Sequence, residues 1–356
     1  MKFFIGGYGA DLHLADLDPS NGAMRVMTSV RTPANASFVA WVAGTGMLYA
    51  TVETGATATD SGRLAAFRLD DAGCLTLVSE ADSCGAAPCH LAVDRKNRLL
   101  VAANYTSGSV VVYALTRAGA FGEQRACIQH EGQGPNPARQ EAAHAHSAHI
   151  DPERKTVCVC DLGTDAVVRY ELSELGAGRG SGATVLKLRP GSGPRHLAFS
   201  DDGRNVYVIT ELANTVLACS RDARTGVLNP VQELPLLPEG HRGDALAAEI
   251  QLHPDGRYLY ASVRGPDLIS VFRRNPDTGA LAPAGSFRTG GSWPRHFQID
   301  ESGSHLLVAN ERSNRVCSFT IDKSTGMATA CRTSLEVEAP SCALFFREVH
   351  RHRRAS

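Results

Sequence analysis

No apolar run in this sequence approaches the about 18 residues that a membrane-spanning helix needs. Segments with the 3.6-residue apolar period of a surface helix are nearly absent, which removes helical bundles and helix-covered sheets. Neither sign of charge dominates. Lys and Arg number 36 against 37 Asp and Glu, so no global field draws in nucleic acid or an anionic membrane. Ten cysteines are scattered without one Cys-x-x-Cys pair, which leaves a structural zinc site without support. No glycine-rich nucleotide fingerprint or P-loop occurs, and no cofactor is expected. Met1 to Tyr8 is interrupted too early by Gly6 and Gly7 for a signal-peptide core, so a cytoplasmic protein is expected. The cysteines are then read as small buried thiols in a reducing compartment, with Cys158 and Cys160 on one sheet face.

What is abundant is glycine and proline, 34 and 17 residues, which indicates many short strands and turns. Length alone, at roughly 100–200 residues per domain, would suggest two or more domains. The repeats argue otherwise. Pro88-Cys89-His90-Leu91-Ala92-Val93 is followed by Leu99-Leu100-Val101-Ala102-Ala103-Asn104 and by Ser109 to Tyr113. The same order returns from Pro194-Arg195-His196 and again from Pro294-Arg295-His296. Less regular copies begin near Ser37, at His144-Ala145-His146 and at Ala248-Glu249. With His90, Ser147, His196, Glu249 and His296 aligned, the period is about 50 residues, the size of a four-stranded propeller blade. Asp202-Gly203, Asp255-Gly256 and Ser302-Gly303 are hairpin signals inside copies.

Residues 2–30 resemble the last three strands of a blade, and Ser341 to Phe346 resemble a first strand with nothing after it. Joined, they complete one blade from both chain ends and remove open sheet edges. The expectation is an all-β, seven-bladed β-propeller over residues 1–346, followed by a basic tail, 347–356, read as a solvated end. A sandwich pair lacks a repeat of this length, and solenoid rungs are shorter.

In such a blade the residues entering strand one and leaving strand two share a face. The first set is His90, His144, His146, Arg195, His196, Glu249, Arg295 and His296. The second is Glu53, Asn104, Asp161, Glu211, Arg264, Asn310 and Glu311. Arginine, histidine and carboxylates at one channel mouth suit an anion site with an acid–base pair. A histidine recurring at one repeat position, as His90, His196 and His296 do, is more often a hydrogen-bonding element of each blade than a catalyst. His149 and His253 are read as strand or turn residues, and His146 as falling one position out of the repeat register.

Gly193-Pro194-Arg195-His196, Val208-Ile209-Thr210-Glu211-Leu212, Ala143-His144-Ala145-His146, Ala248-Glu249-Ile250 and Ser262-Val263-Arg264-Gly265 resemble the lactonase family of seven-bladed propellers. That family includes propeller-type 6-phosphogluconolactonase and carboxy-cis,cis-muconate cyclase. The resemblance implies His146, Glu211, Arg195 and Arg264 as catalytic residues. His144, Glu249, His196, Arg295 and Asn310 would be substrate contacts, with no metal. It implies water attack on a small anionic lactone, foremost 6-phosphogluconolactone of the pentose phosphate pathway, by a monomer or weak homo-oligomer. Val263 stands where the family often has Asn, and Ala143 where a Pro is common. Muconate cycloisomerisation, a metal-dependent gluconolactonase or quinoprotein activity and a non-catalytic scaffold are the competing readings. Ionisable groups gathered at one rim weigh against the scaffold.

Overall fold

The computed structural model describes residues 1–346 except positions 33, 58, 330 and 332. The tail read as a solvated end, 347–356, lies outside the described residues. Seven four-stranded antiparallel sheets form a ring. Blade one combines Pro340–Phe345 with Lys2–Gly7, Asp11–Leu17 and Met24–Arg31. Blades two to seven follow in chain order, with first strands Val39–Val42, Pro88–Asp94, Ala145–Ile150, Pro194–Phe199, Leu246–Leu252 and Pro294–Ile299. This is the architecture expected from the repeat, including the blade shared by both ends.

The burial pattern follows from the ring. Second strands face a neighbouring blade on both sides, so Asn205–Thr210 and Tyr258–Arg264 are buried throughout and read as continuous apolar runs. Fourth strands such as Leu281–Arg288 lie outermost and are largely exposed. Seven apolar clusters result, one at each interface between adjacent blades. Tyr207 and Ile209 of blade five, for instance, pack with Leu259 and Ala261 of blade six. The core is therefore an annulus, and the axis is left to polar side chains.

Closure is made by Phe3, Phe4 and Ile5 pairing with Phe345, Leu344 and Ala343. A Cβ on Gly6 would lie 2.3 Å from the Ala36 carbonyl oxygen, and one on Gly7 2.4 Å from that of Ala339, so the pair must be glycine. Blade four departs from the all-strand expectation. A five-residue helix, Leu172–Gly176, is inserted before its last strand and buries Leu172 and Leu175. The cysteines also divide. Cys89, Cys158, Cys160, Cys219, Cys317 and Cys342 are buried as expected, whereas Cys74 and Cys127 are exposed, because they lie on outer turns and strands. Cys158 and Cys160 do share one face and one cluster.

Candidate active site

Two rings of side chains meet at one mouth of the channel, and both arise from the register of strands one and two. In blade three Pro88 pairs with Asn104 but His90 with Ala103, so Cys89 is the extra residue of a β-bulge. The same bulge falls on His146, Arg195, Arg295 and Ser341. A bulge re-aims one side chain without breaking the sheet. Here it turns all five residues toward one cavity, shared with Ser37, Phe38, Glu53, His196 and His296. His146 is therefore in the same register as Arg195 and Arg295. It precedes Ser147 just as Arg195 precedes His196, which corrects its reading as a residue out of step.

The second ring is the residue just past strand two. The backbone N–H groups of Tyr8, Glu53, Tyr105, Leu162, Glu211 and Glu311 each bond the carbonyl two residues before the bulge or its counterpart, and Arg264 pairs with Leu246 in the same place. Asn104, Asp161 and Asn310 stand one residue earlier, and strand alternation turns them away from the mouth. Asn310 is fully buried, and its amide donates to the Thr289 carbonyl at 3.1 Å, as Asn104 does to Ser83. Asn310 is thus a tie to the incoming loop and is withdrawn as a substrate contact.

Glu211 is the hub. Arg264 Nη2 lies 2.8 Å and Arg195 Nε 3.1 Å from Oε2, and Arg139 pairs with Oε1. Arg195 and Arg264 are anchored from behind by the Ala248, Leu246 and Ala247 carbonyls. The Arg195 Nε–H, although close to Glu211, lacks a hydrogen-bonding angle and is a buried donor without a partner. Burial alone would raise the Glu211 pKa. Arg264, Arg195, His146 and Arg139 outweigh it and hold the carboxyl far below the usual range. Burial lowers Arg264 to about 10, still charged at neutral pH. His146 Nε2 stands 3.9 Å from Oε2. Burial, with Arg195 and His196 adding, drives its pKa well down, so the imidazole is neutral.

Across the mouth, Arg295 lies 3.5 Å from Glu311 and its guanidinium sits 5.1 Å from the Tyr8 ring centroid. Tyr8 donates to Glu53 at 3.0 Å. Glu311 Oε2 is a buried acceptor without a hydrogen bond.

Below the mouth lie His196, Glu249 and His296. Glu249 Oε2 is 3.1 Å from His196 Nδ1 and 3.6 Å from His296 Nε2. His90 Nδ1 accepts the Ala148 N–H and His296 Nδ1 the Ala343 N–H, each bridging to the next first strand. These histidines therefore serve the blade contacts, and Glu249 holds two of them. His144 lies beside the site: it stacks on Tyr105 at 4.6 Å and its Nδ1 meets the Tyr105 carbonyl. Nitrogens of His90, His149 and His196 fall within 4.8 Å of one another, close enough to consider a metal. His90 Nδ1 and His149 Nε2, however, already accept backbone N–H groups, so their protons sit on the other nitrogens. A metal there would have to reverse both tautomers.

Residues 2–345 match the family described as lactonase, 7-bladed beta-propeller. The chain belongs to this lactonase family. It is 32% identical to a 6-phosphogluconolactonase of Bacillus subtilis over 347 residues, covering 97% of both chains. A 6-phosphogluconolactonase of Formosa agariphila is 31% identical, covering 98% of this chain and all of the relative. The solved periplasmic gluconolactonase PpgL of Pseudomonas aeruginosa superposes with a TM-score of 0.87 at 28% identity, covering 96% of this chain and 98% of that one. Among the described residues no helix is long and apolar enough to cross a membrane.

Sequence reading missed Arg139 and Tyr105. Tyr105 follows Asn104 directly and was one register step away. Arg139 lies between blades, outside the repeat, in a long loop that enters the His144-Ala145-His146 segment. That loop's position was the available signal.

Proposed function

We propose that this protein hydrolyses a sugar lactone bearing an anionic group, foremost 6-phosphogluconolactone, in the pentose phosphate pathway. One observation carries the reading: a buried carboxylate shared by three arginines beside a neutral imidazole. Three positive charges face one negative charge, so the site favours an anion. A neutral imidazole next to it can take a proton.

In the proposed reaction a water oxygen attacks the lactone carbonyl carbon and His146 Nε2 accepts the water proton. The carbonyl oxygen gains negative charge and is met by the unpartnered Arg195 Nε–H. The bond between the carbonyl carbon and the ring oxygen then breaks. His146 returns its proton to that oxygen, giving a hydroxy acid. Glu211, held ionised, orients Arg195 and Arg264 and steadies the imidazolium. Glu53 and Glu311 offer acceptors for ring hydroxyls on the opposite side. The free thiols support a reducing, cytoplasmic location.

The test follows freshly generated 6-phosphogluconolactone against its spontaneous opening, with wild type and His146→Ala. Acceleration by wild type and its loss in the variant are expected. No acceleration by wild type would end the hydrolase reading. Full activity in His146→Ala would move proton transfer to Glu211.

A further inference from the structure

The three arginines on Glu211 are not alike. The Arg195 and Arg264 side chains are 4% and 5% exposed and are anchored by backbone carbonyls of blade six. The Arg139 side chain is 32% exposed. It comes from the segment between blades three and four, whose ends are held at His130 and His144 and whose middle is pinned by its neighbour Gln140. Gln140, fully buried, donates through Nε2 to the Leu162 carbonyl and to Asp165 Oδ1, both at 2.8 Å. Its backbone N–H and carbonyl close a tight turn with Asn136 and Gly134. The loop is thus a pinned arm, and the arginine preceding the pin reaches over the mouth.

At its tip, Arg139 Nη2 donates to Glu211 Oε1 and, at 3.2 Å, to the Tyr105 hydroxyl. The Arg139 Nε and Nη1 N–H groups make no hydrogen bond among the described residues. A guanidinium carries five N–H donors in a planar fork suited to phosphate. Tyr105 is itself fixed, stacked on His144 and edge-on to His146 at 5.4 Å. A partly exposed guanidinium and the phenol it bonds therefore stand beside two sealed arginines, with the phenol ring against the reactive imidazole.

We propose that Arg139 and the Tyr105 hydroxyl form a subsite for a phosphate ester at the substrate's far end, while Arg195 and Arg264 stay with Glu211. This places phosphate binding outside Arg195 and Arg264, and it rests on the lactonase reading. Phosphate oxygens take up the outward N–H groups of Arg139 and compete with Glu211 Oε1 for Nη2. The phosphorylated substrate thereby loosens one of three clamps on the central carboxylate, which an unphosphorylated lactone does not.

The experiment measures calorimetric binding of 6-phosphogluconate and of gluconate to wild type, Arg139→Gln and Arg139→Lys, with KM for the two parent lactones. Wild type should bind the phosphorylated product more tightly, and Arg139→Gln should cut that preference at least tenfold, in line with loss of a charge-assisted bond. Arg139→Lys should recover part of it, since the charge returns without the fork. Thermal unfolding of the variants checks that the arm remains folded. Equal preference in wild type and Arg139→Gln, or no preference in wild type, would overturn the subsite. If wild type opens neither lactone but loses the phosphate preference on Arg139→Gln, the hydrolase reading falls and the subsite stands.

Discussion

Arg195 and Glu211 in blade five hold the same repeat positions as Arg295 and Glu311 in blade seven, yet the two halves of the mouth have opposite character. Around Glu211, three arginines surround one carboxylate. Around Arg295, two carboxylates and a phenol surround one guanidinium. Burial alone would lower Arg295, but Tyr8, Glu53, Glu311 and Glu211 hold it strongly protonated. The sevenfold repeat supplies positions, and the chemistry comes from what each blade places beside them. Blade six puts Arg264 where blades five and seven put glutamate, and the loop before blade four adds Arg139. One half thus suits an anion and a developing oxyanion, the other the hydroxyls of a polyol.

The sharpest way to break this comparison is to neutralise both glutamates. Glu211→Gln is expected to lower kcat/KM for the lactone about 10³-fold, since the arginines lose their organising charge beside the imidazole. Glu311→Gln should cost less than about tenfold. A larger loss at Glu311 would exchange the roles of the two halves. Next in size are the paired arginines. Arg195→Ala should lower kcat about 10²-fold with little change in KM, the loss of one oxyanion donor. Arg295→Ala should act on stability instead, by about 3 kcal/mol in chemical denaturation, because Glu53 and Glu311 are left facing each other without a cation. A dominant kcat effect at Arg295 would remove the distinction.

The smallest expected effect lies below the mouth. His149 accepts the Leu197 N–H, and in blade six Gln251 accepts the Ile299 N–H in the same way. Burial lowers His149 to about 4. Its unfolded value is near 6.5, so the unfolded chain takes up a proton first and stability falls as pH drops from about 6.5 toward 4. The whole effect is at most about 3 kcal/mol, reduced because the ring is partly exposed. His149→Gln keeps the acceptor and should flatten unfolding between pH 6.5 and 4.5 while leaving pH 7.5 stability nearly unchanged. An unaltered slope would place the acid sensitivity on His90, His146 and His196, whose pKa values burial also lowers.

The architecture was legible because glycine turns punctuate the chain at blade length and second strands are apolar along their whole run. Arg195, Glu211, Arg264 and His146 were legible as a rim because strand direction dictates which ends share a face. Asn310 was misplaced by a single residue, which in a strand is a reversal of side. The partners of Glu211 could be anticipated where they sit on repeated positions. Arg139 could not, since a loop arginine has no periodicity and its aim depends on Gln140 holding the arm. The short helix before the last strand of blade four escaped because five residues carry too little period to detect.

The pairing of Phe3 with Phe345 has a consequence for how the protein is made. The Lys2–Gly7 strand is synthesised long before its partner, Pro340–Phe345, which lies at the other end of the ring's sequence. At roughly 5–20 residues per second, the nascent chain waits tens of seconds with that edge uncovered. Glu211 and its arginines are all synthesised by residue 264, so they can gather in an unfinished arc. An arc can still splay at its ends, and only the final strand fixes the distance between the two halves of the mouth. The closing strand thus completes the ring around the mouth, although among the described residues it contributes only Ser341 to the cavity.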